Sequence, residues 1–277
     1  MWKFFLVSAA ATAAMALTIS CEREVSSRDN EKEIIVIADS ADYDFLKDEL
    51  RHAFEREIPT PWPEKIFELQ RVPVSQMKKY LHHSRLLLIG ILGSTIPRSG
   101  TADKIEAMLT SELKGRIVNG QDCVLKKDDP WAKEQRLVVL AAAQRDTLKQ
   151  RLASHRDELF ELFNQPLLER TKKEMYGRFE QTALEKTLLD KYGWTLRIQH
   201  DYQLYKEFPQ ENFIMLRRAW PERWLFVSWQ NWDDPNRITR DWVIEWRNRL
   251  GVRFYENDRV VISNDLIARE IKKRKRS

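Results

Sequence analysis

The chain has 277 residues, 43% of them hydrophobic and 32% charged, which is enough apolar content for one large core or two modest ones and too much for a disordered chain. Lys and Arg number 47 against 42 Asp and Glu, but with Lys3 and the five basic residues of 272–276 set aside, 41 basic residues face 42 acidic ones. The body is therefore close to neutral, and its composition argues against a nucleic-acid-binding fold.

The first segment reads as an export signal. Met1-Trp2-Lys3 supplies a short positive region and residues 4–19 an uncharged, alanine-rich one, a pattern that is excluded from the fold. Three fates compete: cleavage after a small residue, retention as a short anchor, or cleavage before an acylated Cys21. The tetrad Thr18-Ile19-Ser20-Cys21 matches the lipobox of bacterial lipoprotein signals at Ile19 and Ser20. Thr18 stands where Leu is usual, and Leu17 lies one place earlier. The expectation is a signal peptide over 1–20 and a palmitate-bearing Cys21 that holds the protein to a membrane. A polar tether over 21–32 follows, its "EREVSSRDNEK" free of aromatic residues. Beyond this region no apolar run approaches the roughly 20 residues needed to span a bilayer. Cys123 is the second of two cysteines. It has no intramolecular partner if Cys21 becomes a thioether, and a bridge between the two is conceivable if Cys21 stays a thiol.

From Glu33 onwards strand and helix patterns alternate. "EIIVIAD" at 33–39 predicts a β-branched strand, and "DYDFLKDELRHAFER" a helix with Phe45, Leu46, Leu50 and Phe54 near one face, capped by Asp42 or Asp44. "EKIFELQRV" predicts a strand, "SQMKKYLHH" a short helix starting at Ser75, and "RLLLIGIL" a third, strongly apolar strand. Next come a helix over "TADKIEAMLTSELK" and strands over "DCVLKKD" and "RLVVLAAA". "DTLKQRLASHRDELFELFN" predicts one amphipathic helix ended by Asn164 and Pro166, and a further helix or bent pair fills 167–191 with Gly193 at its C-terminal cap. Short strands over "WTLRIQ", "NFIMLRRA" and "RWLFVSWQ" then precede a helix over "ITRDWVIEWRNRLG" closed by Gly251.

These elements define an α+β chain: an N-terminal β-α-β-α-β layered half over 33–165, then a helical connector and a mainly antiparallel sheet with a packed helix over 166–251. Residues 252–277 form an extension ending in "IKKRKRS". This basic end has two readings, a solvated tail and a cluster that touches anionic lipid or envelope polymer.

Several stretches resemble a family of uncharacterised bacterial lipoproteins defined by a domain of unknown function. They are "DPWAKEQRLVVLAA" at 129–142, "ELFN" at 161–164, "KYGWTLRIQHDYQLYKE" and "NFIMLRRAW", and the likeness runs from about Glu33 to Gly251. Two features depart from that family: the tryptophan-loaded "RWLFVSWQNW", and the lack of a counterpart after Gly251 to its glycine-rich C-terminal part. The resemblance implies a lipoprotein with a two-part α/β body, and it carries over no catalytic residue.

The chain holds no Walker-type, dinucleotide-binding, Gly-x-Ser-x-Gly or His-Glu-x-x-His motif. Its five histidines (52, 82, 83, 155 and 200) are scattered, so neither a metal site nor a cofactor is assigned. Seven of the ten tryptophans lie between 194 and 246, and this concentration admits a packed core or a stacking surface. On the 222–229 strand both faces are apolar, so at least one reads as core, and Trp242, Trp246 and Leu250 repeat at four-residue spacing on a helix, the spacing of a packed face. Trp220, Trp229 and Trp232 are left as the candidates for a ligand-binding surface. The expectation is a cell-envelope lipoprotein, sorted to the outer membrane, whose body binds an envelope glycan or protein or serves as a structural module. The competing reading is an envelope hydrolase acting on glycan or peptidoglycan, with Glu222, Asp233 and Asp234 supplying the carboxylates.

Overall fold

The computed structural model describes residues 32–58, 63–93, 100–231, 234 and 238–260. The signal segment, Cys21, nearly all of the tether, Trp232, Asp233 and the basic tail lie outside the described residues.

The first half opens with β1 (Glu33–Ile37), α1 (Ser40–Phe54), two short strands, β2 (Glu57–Ile58) and β3 (Glu64–Lys65), and β4 (Glu68–Val72). A 3₁₀-helix (Val74–Tyr80), β5 (Arg85–Ile91), α2 (Gly100–Glu106) and α3 (Ser111–Val118) follow. Then come β6 (Val124–Asp128), β7 (Arg136–Ala142), α4 (Arg145–Ser154) and α5 (Arg156–Tyr176). The main sheet has the order β4-β1-β5-β7-β6, parallel except for the antiparallel edge strand β6.

The two-residue period of the strands explains why β1, β5 and β7 read as continuous apolar runs. Ile34, Val36, Leu87, Ile89, Val138 and Leu140 face one layer, formed by α1, α4 and α5. Ile35, Ile37, Leu86, Leu88, Leu137 and Val139 face the other, formed by the 3₁₀-helix, α2 and α3. With both faces covered, no polar alternation is needed.

The second half contains α6 (Thr182–Tyr192), β8 (Tyr202–Phe208), a 3₁₀ turn (Pro209–Glu211), β9 (Phe213–Arg218), β10 (Arg223–Ser228) and α7 (Arg240–Phe254). Its antiparallel sheet has the order β10-β9-β8. On one face Ile214 and Leu216 meet Leu188 of α6; on the other Phe213 and Met215 meet Leu250 and Phe254 of α7. The α+β class therefore holds in both halves, and the hydrophobic clusters of the two share no residue.

Several local expectations are corrected. Helix α1 starts at Ser40 with Asp39 at the cap position, so neither Asp42 nor Asp44 is the cap; Asp42 is buried in the first turn and paired with Arg145. "EKIFELQRV" is two strands, because Phe67 between them turns into the core. The helix foreseen over 101–114 is two, with the Thr110 hydroxyl accepting from the Leu113 N–H to start α3.

The single helix expected before Pro166 breaks at His155, where the Ser154 hydroxyl bonds back to the carbonyls of Gln150 and Arg151. Pro166 does not end α5, which runs on to Tyr176; Asn164 instead donates back to Glu161. "WTLRIQ" is not a strand. Its backbone is held by the preceding segment: the Ile198 N–H donates to the Glu185 carboxylate at 2.7 Å, and the Ile198 carbonyl accepts from the Gln181 backbone N–H. Gly193, at φ +73°, does take the left-handed cap position after α6. Gly251 does not close α7. It lies inside the helix, where a Cβ would clash with the Asp258 carbonyl oxygen.

Two buttressing carboxylates tie elements together. Burial alone would raise the Glu55 carboxyl, but the Lys65 ammonium, the Leu69 N–H and Arg51 outweigh it and hold it below the usual carboxylate range. In the second half the Lys191 ammonium and the Tyr192 hydroxyl hold Glu207 down in the same way, joining α6 to β8. A depressed folded pKa contributes stability that is complete above the unfolded value of 4.5 and is lost as pH falls through the folded one. The melting temperature should therefore drop on acidification below that value, and less steeply in Glu207→Gln; equal slopes in a calorimetric pH series would refute the assignment.

Candidate functional site

The C-terminal tryptophans sort by burial. Trp194 and Trp229 belong to the α6 side of the small sheet, where the Trp229 ring sits 4.7 Å from Tyr192 and 5.2 Å from Trp194. Trp229 is half-buried, and its backbone N–H donates to the Asn212 carbonyl. Trp246 packs on the α7 side with Trp242 stacked on it at 5.7 Å. Trp220, in the turn joining β9 to β10, is 88% exposed. The three tryptophans singled out in the sequence are thus not brought into one described surface: Trp220 is exposed, Trp229 is packed, and Trp232 is outside the described residues.

A different aromatic row does assemble, across the three strands on the α7 face. A register shift between Leu204 and Lys206 in β8 sets Tyr205 at a bulge. Its ring meets Trp224 of β10 edge-on at 5.0 Å. Arg217 of β9, paired opposite Trp224, places its guanidinium 5.1 Å from the Trp224 ring and 5.6 Å from the Tyr205 ring. Glu222 fixes Arg217 through two hydrogen bonds at 2.8 and 3.0 Å, and Lys206 adds a cation 5.4 Å from Tyr205. Tyr205 and Trp224 remain 46% and 43% exposed. Apolar ring edges next to oriented N–H donors suit a flat ligand rich in hydroxyl or anionic groups. Sequence reading missed this row because Tyr205 and Arg217 become its neighbours only through strand pairing and a bulge; the one signal available was Trp224 on a strand with two apolar faces.

Glu222 is occupied by Arg217, Asp234 is exposed, and Asp233 is not described. A cleft of about 390 Å³ lies elsewhere, where Arg85, Arg136 and Asp128 at the strand ends of the main sheet face Pro166, Arg170 and Lys173 of α5. Two ion pairs line it, Arg136 with Asp128 at 2.6 Å and Lys173 with Glu134 at 3.7 Å, and among the described residues no tryptophan does.

At the carboxyl ends of β1 and β5, where such sheets commonly hold ligands, the Thr101 N–H donates to Asp39 Oδ2 at 3.1 Å and Arg145 bonds Asp42. Among the described residues no group of three metal-ligating side chains occurs, and no helix is long and apolar enough to cross a membrane. Burial pushes the Cys123 thiol up, which keeps it protonated and disfavours a nucleophilic role.

A layered α/β sheet unit followed by a small antiparallel sheet unit with an exposed aromatic row is the class these observations define. The chain belongs to the family defined by Domain of unknown function (DUF8532), whose model matches residues 27–176. That span covers the main sheet through the end of α5, so "KYGWTLRIQHDYQLYKE" and "NFIMLRRAW" lie beyond it. No match was found among curated proteins or among solved structures.

Proposed function

We propose that this chain is a membrane-anchored cell-envelope lipoprotein, attached through an acylated Cys21 and sorted to the outer membrane, whose folded body is a non-catalytic binding or structural module. The anchor rests on sequence: an apolar segment ends at Cys21 with Ile19 and Ser20 in lipobox positions, and a polar tether follows. The binding role rests on one observation, the Tyr205–Arg217–Trp224 row, whose rings stay accessible while most of the neighbouring tryptophans are packed.

The test begins with protein recovered from native-type membranes. Intact mass and the N-terminal peptide are expected to give a chain starting at diacylated Cys21, and Cys21→Ser is expected to move the protein to the soluble fraction. An unmodified Cys21 overturns the anchor. For the body, cosedimentation with isolated envelope glycan should weaken roughly tenfold in Trp224→Ala, the loss of about 1.4 kcal/mol at a contact of this kind. Unchanged cosedimentation overturns the aromatic row as the binding surface, and release of soluble glycan fragments by the wild type would replace the module with a hydrolase.

A further inference from the structure

Strand edges expose backbone N–H and C=O groups that recruit further strands unless the edge is blocked, and three of the four outer edges of the two larger sheets are blocked. On β4 the Leu69 N–H is taken by Glu55 Oε1 at 3.1 Å. On β6 the exposed residues are Lys126, Lys127 and Asp128. On β8 the bulge between Leu204 and Lys206 interrupts the edge, and Lys206 and Glu207 follow it. The remaining edge, β10, reads "RWLFVS" with its single charge at the first position, and it holds neither proline nor bulge. Among the described residues the backbone of 224–227 bonds only to β9, and Trp224 and Leu225 are 43% and 39% exposed.

We propose that the free edge of β10 pairs antiparallel with β10 of a second copy of this chain, making one continuous six-stranded sheet across a two-fold axis. A second copy is favoured because the strand is self-complementary. A two-fold normal to the sheet keeps each side chain on its own face, so partners must be an even number of positions apart. Centring the axis on Leu225 sets Leu225 against its own copy, Trp224 against Phe226 and Arg223 against Val227. Leu225 is then covered by its own copy, Trp224 gains an apolar neighbour beside it on the same sheet face, and no two like charges oppose each other. Centring on Phe226 instead leaves Trp224 facing Ser228. The pairing extends the aromatic row, since Trp224 and Phe226 share a face with Arg217 and Met215.

The register makes the test specific. In the full-length chain, in mild detergent, with Cys21→Ser and Cys123→Ala removing the other thiols, Leu225→Cys stands opposite itself across the axis. Mild oxidation is expected to convert most of it to a covalent dimer. Val118→Cys, equally exposed on α3, is expected to stay monomeric. Wild-type protein without any substitution should show concentration-dependent dimerisation by sedimentation up to ~100 µM, the range for a contact this small. A monomer throughout that range, or a Leu225→Cys chain that crosslinks no more than the Val118→Cys control, overturns the proposal; the latter is also the outcome if the edge receives an extended segment of another protein.

Discussion

Phe163→Ala is expected to destabilise the first half by about 3–5 kcal/mol, the usual cost of emptying a buried aromatic site. Phe163 is 1% exposed, and its ring meets Phe54 of α1 edge-on at 5.7 Å and Phe67 at 6.4 Å. It ties α5 to α1 and to Phe67 beside β4, so the cavity cannot close without moving a helix that also carries Pro166 three residues further on. The two halves share no core residue, and six of the described tryptophans lie in the second. Urea unfolding should accordingly show the loss in far-ultraviolet circular dichroism while the tryptophan-fluorescence midpoint stays near the wild-type value. Equal shifts by both probes would mean that the halves unfold as one unit.

Arg145→Ala is expected to cost about 3 kcal/mol, although Arg145 is itself a half-exposed residue at the start of a helix. The reason lies in its partner. The Asp42 side chain is 2% exposed, Arg145 Nε donates to its Oδ1 at 2.7 Å, and Oδ2 has no hydrogen-bond partner among the described residues. Truncating the arginine leaves a carboxylate in the layer between α1 and α4 with nothing to offset its desolvation. The double variant Asp42→Ala with Arg145→Ala removes that charge and should be more stable than Arg145→Ala alone. A double variant as unstable as the sum of the two singles would refute the buried-charge explanation.

The candidate surface was only partly legible. Trp220 and Trp229 carry the same residue type in similar polar-flanked stretches, yet one is 88% exposed and the other is packed between Tyr192 and Trp194. The difference comes from α6, a helix that precedes both residues by some 30 positions and covers only one face of the small sheet. Arg217 would read as an ordinary surface cation without its pairing to Trp224.

What the sequence by itself determined is the set of elements whose pattern is written in their own residues. The runs of β1, β5 and β7, the Leu46, Leu50 and Phe54 stripe of α1 and the glycine cap of α6 appear where their period or conformation demands, whereas Phe45, expected in that stripe, is exposed. Of the resemblance, the presence of a domain of unknown function is what the match over residues 27–176 supports. What only the tertiary structure decided are features whose energies come from residues far along the chain. The order β4-β1-β5-β7-β6, the break at His155 and the placement of Gly251 against Asp258 are of this kind. So are the holding of "WTLRIQ" by Glu185 and Gln181 in place of a strand partner, and the edge position of β10 in the small sheet. Local propensities differ by fractions of a kcal/mol per residue, whereas burying one aromatic side chain or pairing one buried charge is worth several times more, so the long-range contact prevails wherever the two disagree.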